Sequence, residues 1–233
     1  MVDKTLATCQ EAVAGVFDGA TILLGGFGDP GLPGQILEAL RLQGAKNLTV
    51  VHNGSGGGTH SLGGLIHDGR VRKLIASFPS HPGNTSFQER YLKGEIELEL
   101  VPQGTLAERI RAAGAGLGGF FTPTGAGTEL AAGKETRVID GREHVFEKAL
   151  RADFAFVRAY RGDRLGNLNY RMAMRNFNVP MATAAKFVVA EIDELVPVGS
   201  IDPEDVHTQG IFVDHVVEVV RHPKYLEITT EGR

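Results

Sequence analysis

The stretch ATILLGGFGDPGLPGQILEAL, residues 20–40, passes from an apolar segment through a glycine-rich turn into a helical pattern. The apolar segment is short enough to be a buried strand. After the turn, Pro33 stands where a helix can begin, the apolar positions that follow share one helix face, and Gly44 ends the pattern. A strand, a tight turn and a helix in this order predict the first unit of an α/β fold.

The same alternation continues through the first half of the chain. Strands are predicted in NLTVVHN, RKLIASF and IELELV, and helices in TLATCQEAVAGVF, TSFQERYLK and TLAERIRAAG. Thr85 with Gln88, and Thr105 with Glu108, match the S/T-x-x-E/Q pattern that opens helices. This spacing predicts an α/β fold built on an open, mostly parallel sheet with helices on both faces.

The second half of the chain, from about residue 116, is predicted to be rich in β-structure. GLGGFFTPTGAGT is expected to form a long loop, and RVIDGREHVFE a hairpin centred on Asp140 and Gly141. Further strands are predicted in ADFAFVRAY, AKFVVAEI and GIFVDHVVEVV. Because no linker or repeat interrupts the chain, we expect residues 1–233 to form a single domain.

Composition excludes several classes of function. The net charge is -4 and no Lys/Arg run is present, so neither nucleic acid nor an anionic membrane is an expected partner. Cys9 is the only cysteine, which excludes an internal disulfide and a cysteine-based zinc site. Asp3, Lys4 and Glu11 lie where a secretion signal needs apolar residues, and a cytoplasmic location is therefore expected.

The turn contains a literal G-x-G-x-x-G at Gly26, Gly28 and Gly31, which raises the hypothesis of an NAD-binding oxidoreductase. That fingerprint requires an acidic residue about 20 positions further on to hold the ribose hydroxyls. None is present between Glu38 and Asp68. The sequence therefore disfavours NAD, and a tight turn that simply needs glycine stays open as the other reading.

Five segments carry a resemblance to a known family. GGFGDPGLP, VPQGTLAERIRAAGAG, FFTPTGAGT, GNLNYRMAMRNFN and HTQGIFVDHVV resemble, in this order, segments of the α (or A) subunit of family I CoA-transferases. The resemblance implies the CoA-transferase fold and transfer of CoA from succinyl-CoA to a 3-oxo acid, with CoA as substrate and no further cofactor. The run SFPSHPGN, residues 77–84, resembles the 3-oxoadipate type more than the acetoacetate type.

The same resemblance implies a partner chain. In the family, the attacking carboxylate is a glutamate followed by Asn-Gly on the β subunit, and no such sequence occurs here. Glu95, Glu135 and Glu147 are expected to be solvated charges. This chain is therefore expected to supply no catalytic residue and to be active only in a hetero-oligomer with a β subunit.

Three positions are predicted to bind substrate. Asn53 ends the second strand, Gln103 lies between a strand end and a helix start, and Gly28 lies in the turn after the first strand. Because parallel strands end at one edge of a sheet, we expect these residues to converge there and to hold a carboxylate with neutral donors. The glycine-rich loop also includes Gly25, Gly26, Phe27 and Gly31. In the alternative reading, Asn53 caps a turn and Gln103 is an ordinary surface residue.

One segment departs from the family pattern. The family usually has two asparagines after the second strand, whereas this chain has Asn53 followed by Gly54, which removes one donor. His52, His60 and His81 either compensate, by meeting the second carboxylate of a dicarboxylic substrate, or are solvated loop residues. The departure also leaves open an acyl-CoA hydrolase of the same fold.

Other classes of site receive little support. The chain has no G-x-S-x-G, so a serine hydrolase is disfavoured. His60 and His67 are seven residues apart but lack a third ligand, and no metal site is predicted. A non-catalytic binding module, in which the glycine loops are only turns, remains the alternative from a different class.

Overall fold

A computed structural model describes residues 2–57, 61–80 and 85–219. The strands are β1 Thr5–Leu6, β2 Thr21–Leu24, β3 Leu48–Val51, β4 Val71–Ala76, β5 Glu97–Leu100, β6 Gly119–Thr122, β7 Thr136–Ile139, β8 Arg142–Lys148, β9 Ala152–Asp163, β10 Leu168–Asn169, β11 Ala185–Val196 and β12 His215–Glu218. The helices are α1 Cys9–Val13, α2 Gly34–Gln43, α3 Ser61–His67, α4 Ser86–Leu92, α5 Gln103–Gly114 and α6 Asn178–Met181.

The main sheet confirms the predicted fold class. Its strand order is β1-β12-β11-β9-β2-β3-β4-β5, and every neighbouring pair along this path is parallel. The short β10 pairs antiparallel with β9. The first strand lies beside the last, with Thr5 paired to Val216. A separate antiparallel sheet has the order β6-β8-β7.

Helices cover both faces of the main sheet, as predicted. Alternating residues of β2 face opposite sides, so Ile22 and Leu24 join one core and Leu23 the other. The first core is completed by α1 to α4, and the second by α5 and α6. The long apolar runs of the central strands follow from this burial on both sides.

The second half of the chain corrects one prediction and confirms another. Asp140 and Gly141 both have positive φ, 50° and 74°, as a two-residue hairpin turn between β7 and β8 requires. The segment predicted to be a long loop instead contains β6, which pairs with β8. Gly119 makes this pairing possible, because a Cβ there would lie 2.5 Å from the carbonyl oxygen of Glu147.

The helix start predicted at Thr85 is confirmed, although its capping hydrogen bond is absent, and the start predicted at Thr105 was wrong. Thr85 precedes α4 but its hydroxyl donates to the Glu89 carboxylate instead of capping an amide. Thr105 lies inside α5 and is buried, because that helix begins two residues earlier at Gln103. No helix in the described ranges is long and apolar enough to cross a membrane.

The helix predicted over residues 5–17 is also shorter than expected. This region contains the strand β1 and the five-residue helix α1. Thr8 and Glu11 form a capping box there, in which Thr8 accepts from the Glu11 amide and Glu11 accepts from the Thr8 amide. The strand forms because β12 offers a partner edge, a long-range contact that local periodicity does not report.

Truncation of Leu40 tests the first core. Leu40 is 1% exposed on α2, whereas Leu42 on the same helix is 71% exposed. We expect Leu40→Ala to lower the free energy of unfolding by about 2–5 kcal/mol, because it leaves a cavity. The matched Leu42→Ala should change it by less than about 0.5 kcal/mol. Urea denaturation of both variants checks this, and equal effects would contradict the assigned core.

Candidate functional site

Four neighbouring parallel strands, β2 to β5, end at one edge of the main sheet, here called the carboxyl edge. The segments that follow these strands contain the predicted site residues. In an open α/β sheet, ligands bind in the crevice outside such strand ends. The carboxyl edge is therefore the candidate functional site.

Asn53 is buried at the end of β3 and contacts the segment that follows β4. Its side-chain amide donates to the Ser77 hydroxyl at 3.0 Å, and its carbonyl accepts from the amides of Ser77 and Phe78. Only one of its two side-chain N–H groups is used within the described structure. Ser77 was not predicted as a site residue, because the predicted strand RKLIASF included it, whereas the observed β4 ends one residue earlier at Ala76.

Gly54 allows this close approach of the two segments. It forms a parallel bridge with Phe78, and a Cβ at position 54 would lie 3.2 Å from the Phe78 carbonyl oxygen. A larger residue at position 54 would require the backbone at Phe78 to move by a few tenths of an ångström. The missing second asparagine thus coincides with tight contact between the ends of β3 and β4.

Gln103 and Gly28 lie at the same edge, but neither forms a hydrogen bond with Asn53. Gln103 is the exposed first residue of α5, and its carboxamide makes no hydrogen bond within the described part of the chain. Gly28 is half-buried after β2. Because β2 and β5 are three strand spacings apart, their ends are separated by roughly 14 Å.

The glycine loop, residues 25–31, is a tight turn with an open tip. The Gly25 amide donates to the Phe156 carbonyl at 2.9 Å, and the Phe27 amide donates to the Pro30 carbonyl at 3.1 Å. Gly28 has φ +62°, and a Cβ there would meet no atom of the described residues within 4 Å. The loop is therefore anchored at its base, while the surroundings of Gly28 have room for a ligand.

The helix that follows this loop has its first amides occupied. In a dinucleotide-binding fold, the first amides of this helix hold the pyrophosphate. Here the amides of Gln35 and Ile36 donate to one carboxylate oxygen of Glu191, at 2.9 and 3.0 Å. Glu191 comes from β11 and is fully buried. The protein's own carboxylate occupies the phosphate position, which argues against the NAD hypothesis.

Glu191 belongs to a buried charge network that sequence reasoning missed. Arg158 lies 3.2 Å from Glu191, donates to Asp193 at 2.7 Å and reaches the Leu32 carbonyl at 3.4 Å. Burial raises the pKa of Glu191 to about 7, and the Arg158 charge and the two helix amides oppose that shift. The signal in the sequence was a glutamate and an arginine inside otherwise apolar strands, since such residues are rarely buried without partners.

His52 is not a solvated loop residue, as one of the two readings had it. It is fully buried, and its Nδ1 accepts from the Gly54 amide at 3.0 Å. Burial lowers the pKa of His52 to about 4, so the ring is neutral near pH 7. A neutral, enclosed imidazole is poorly suited to meet a substrate carboxylate as a cation. His60 and His81 lie outside the described residues.

One of the three glutamates expected to be solvated is buried. Glu147 on β8 is 4% exposed, and its carboxylate pairs with Lys134 at 2.6 Å and lies 3.9 Å from Arg109. It helps hold the small sheet against α5. Glu95 and Glu135 are exposed, as expected, and form surface ion pairs with Arg90 and Arg137 respectively. In the described ranges, no cluster of three or more His, Cys, Asp or Glu could hold a metal ion.

Comparisons with known proteins agree with this architecture. The family model described as Coenzyme A transferase matches residues 6–219, and the chain belongs to this family of transferases. It is 52% identical over 219 residues to the A subunit of 3-oxoadipate CoA-transferase from Pseudomonas putida, covering 94% of this chain and 95% of that protein. The resemblance found in the motifs is confirmed.

Two further comparisons extend this result. The chain is 45% identical over 227 residues to the A subunit of a probable succinyl-CoA:3-ketoacid coenzyme A transferase from Bacillus subtilis, covering 97% of this chain and 94% of that protein. The crystal structure of glutaconate coenzyme A-transferase from Acidaminococcus fermentans superposes with a TM-score of 0.81 at 23% identity, covering 94% of this chain and 77% of that one. At that identity the superposition supports the fold alone.

Removal of the Glu191 carboxylate should destabilise the base of the site. Glu191→Ala deprives two α2 amides of their acceptor and takes one carboxylate away from Arg158, so we expect a loss of about 3 kcal/mol in the free energy of unfolding. Glu191→Gln keeps an acceptor oxygen and should cost less. Denaturant titration ranks the variants, and an alanine variant as stable as the wild type would contradict the role assigned to Glu191.

The buried His52 predicts a dependence of stability on pH. Its pKa is 6.5 unperturbed and about 4 in the folded chain, so between these values only the unfolded state binds the proton. The His52 contribution to stability is present above pH 6.5 and falls by about 2 kcal/mol at pH 5. His52→Asn keeps an acceptor for the Gly54 amide but cannot titrate. Denaturation at pH 7 and pH 5 should show a smaller decrease for the variant, and equal decreases would refute the assignment.

Proposed function

We propose that this chain is the A subunit of a heteromeric 3-oxoacid CoA-transferase that moves CoA from succinyl-CoA to a 3-oxo acid. The preferred acceptor is 3-oxoadipate over acetoacetate. A partner B subunit supplies the catalytic glutamate, and no cofactor other than the substrate CoA takes part. The enzyme works in the cytoplasm.

One observation carries the proposal. The chain matches the A subunit of a 3-oxoadipate CoA-transferase at 52% identity along 95% of that protein's length. The Bacillus subtilis relative, which is named for 3-ketoacids, is less similar, at 45% identity. The absence of a Glu-Asn-Gly sequence from all 233 residues supports the assignment of the nucleophile to the partner.

The proposed roles of this chain's residues are binding roles. Gly28 offers a backbone amide that makes no hydrogen bond within the described residues. Asn53 offers the N–H that Ser77 does not use, and Gln103 offers an exposed carboxamide. Gly25, Gly26, Phe27 and Gly31 shape the loop around Gly28. All these donors are neutral, so they can hold a carboxylate or a developing oxyanion without pairing with the nucleophile.

The reaction follows from the chemistry of carboxylates and thioesters. The partner's glutamate attacks the thioester carbonyl of succinyl-CoA, and the C–S bond breaks to give a mixed anhydride and the CoA thiolate. The thiolate attacks the glutamyl carbonyl, which releases succinate and leaves CoA as an enzyme thioester. The carboxylate of the 3-oxo acid then attacks the enzyme thioester, which gives a second mixed anhydride and the CoA thiolate. The thiolate attacks the 3-oxoacyl carbonyl of this anhydride. The products are succinate and 3-oxoacyl-CoA, and the glutamate is regenerated.

We also propose that residues 1–233 form one domain. Both hydrophobic cores lie against the same main sheet, and β9 contributes to each. The small antiparallel sheet joins this body through Arg109 on α5, which donates to the Lys148 carbonyl at 2.8 Å. A cut between the two sheets would therefore expose buried residues of both.

Reconstitution with a partner tests this assignment. The chain is purified alone and with a B subunit from the same genome that contains Glu-Asn-Gly, and each sample receives succinyl-CoA with 3-oxoadipate or acetoacetate. We expect turnover only in the complex, higher kcat/KM for 3-oxoadipate and conservation of the thioester. Turnover by the chain alone would contradict the proposal, and so would a CoA adduct located on this chain by mass spectrometry. Release of free CoA as the main product would favour the hydrolase alternative.

Gln103→Ala tests the carboxyl edge as the substrate site. Loss of a positioned donor should lower kcat/KM of the reconstituted complex by about 10-fold or more. Because Gln103 is exposed and makes no hydrogen bond in the described structure, the melting temperature should not change. Gln10→Ala, an exposed glutamine on α1, is the matched control. A complex with unaltered kcat/KM would remove Gln103 from the site.

A further inference from the structure

Asn178 is a fully buried polar residue beside the glycine loop, at the start of α6. Its side-chain oxygen accepts from the Arg158 amide at 2.9 Å. Its side-chain nitrogen donates to the carbonyls of Gly31 at 3.0 Å and Met174 at 2.8 Å. The carboxamide therefore connects β9, the glycine loop and the turn before α6 within one set of hydrogen bonds.

The same carboxamide explains why glycine occupies both ends of the loop. A Cβ at Gly25 would lie 1.8 Å from the Asn178 side-chain oxygen, and one at Gly31 would lie 2.6 Å from its nitrogen. Gly31 also has φ +79°, which disfavours any side chain. The φ of Gly25 lies outside that left-handed range, so its backbone is open to other residues. At position 25 the requirement for glycine therefore comes chiefly from Asn178.

Two further contacts join the segment 173–178, here called the brace, to the loop. The Asn176 side chain donates to the Pro30 carbonyl at 2.9 Å and to the Ala173 carbonyl at 2.6 Å. The Phe177 ring stacks on Phe27 with centroids 6.4 Å apart. The brace thus contacts the loop on both sides of Gly28, while Gly28 itself makes no hydrogen bond in the described structure.

We propose that Asn178 is a positioning residue for the transferase reaction. By donating to the Gly31 carbonyl and packing closely against Gly25, its side chain sets the direction of the Gly28 amide toward the substrate. This inference rests on the proposed function, because it needs the glycine loop to be part of the substrate site. Asn178 touches no substrate atom in this role.

The geometry favours positioning over general support of the core. Gly28 is three residues from each of the two glycines that Asn178 contacts. A shift at either contact therefore moves the tip of the loop, where a donor displaced by about 1 Å can cost roughly 100-fold in rate. The carboxamide makes its closest hydrogen bonds to backbone groups, and one of these, the Gly31 carbonyl, belongs to the glycine loop itself.

Asn178→Asp is the first test, carried out on the reconstituted complex. Aspartate keeps the size of the side chain and an acceptor for the Arg158 amide, but it cannot donate to the Gly31 and Met174 carbonyls. We expect kcat per folded complex, counted by gel filtration, to fall at least about 10-fold. Asn169→Ala removes a half-buried asparagine side chain that also donates to a backbone carbonyl, that of Asp205, and should keep wild-type kcat.

A double-mutant cycle between positions 25 and 178 is the second test. Gly25→Ala should be strongly impaired, because its methyl group collides with the Asn178 oxygen. The double variant Gly25→Ala/Asn178→Ala lacks the Asn178 side-chain oxygen, so this collision is absent. We therefore expect its kcat/KM to equal that of Asn178→Ala alone, and not to fall by the two single-variant factors multiplied together. The same coupling should appear in the melting temperatures of the isolated chains.

The outcomes separate the two proposals. A wild-type complex without transferase activity would refute the proposed function, while the coupling in melting temperature would still report on the steric contact. An active wild-type complex in which Asn178→Asp retains kcat within twofold would overturn the positioning role. Multiplicative losses in the cycle would also overturn it.

Discussion

The bond between the Glu191 carboxylate and the first amides of α2 fixes the geometry of the carboxyl edge. It joins the centre of the sheet to the helix that follows the glycine loop, at 2.9 and 3.0 Å. A buried carboxylate is costly unless it is paired and hydrogen-bonded. Here two amides donate to Oε2 and Arg158 lies 3.2 Å from Oε1, although Oε1 accepts no hydrogen bond in the described structure. A displacement of α2 would take these two donors away from a fully buried carboxyl group, and this cost favours the observed position of the helix.

This arrangement also shows how one glycine pattern can serve two chemistries. In dinucleotide-binding folds, the amides at this helix start hold a ligand phosphate. In this chain an internal carboxylate takes that place, and the brace holds the carbonyls of Pro30 and Gly31. What remains available to a ligand is the tip at Gly28, where no described side chain is near. The same turn therefore has its base held by the protein itself, while its tip stays open.

The fold could be predicted from the sequence because most of its strands and helices have a clear apolar pattern and are separated by turn residues. Gly44 and the Asp140–Gly141 pair are examples in which local conformation decides the structure. The errors arose where distant partners decide it: β1 forms only because β12 lies beside it. Thr105 has a capping pattern, but the helix had already begun at Gln103.

The candidate site could be predicted only in part, for a related reason. Strand ends can be read from the chain, and this placed Gly28, Asn53 and Gln103 at one edge. The groups that hold those residues come from far along the chain: Glu191 and Asn178 contact the segment around α2 from more than a hundred positions away. Burial also determines the low pKa of His52 and the ion pairing of Glu147. Local sequence carries little information about the burial of a single polar residue.

The order of the strands has a consequence for synthesis on the ribosome. β9 lies between β2 and β11, and the Phe156 carbonyl on β9 is the acceptor for the Gly25 amide. A nascent chain that ends before β9 therefore carries a glycine turn without its anchor and a strand β2 with one unpaired edge. Such an edge is open to pairing with other chains. The anchored glycine turn and the fully paired β2 can therefore form only after β9, Ala152–Asp163, has left the exit tunnel.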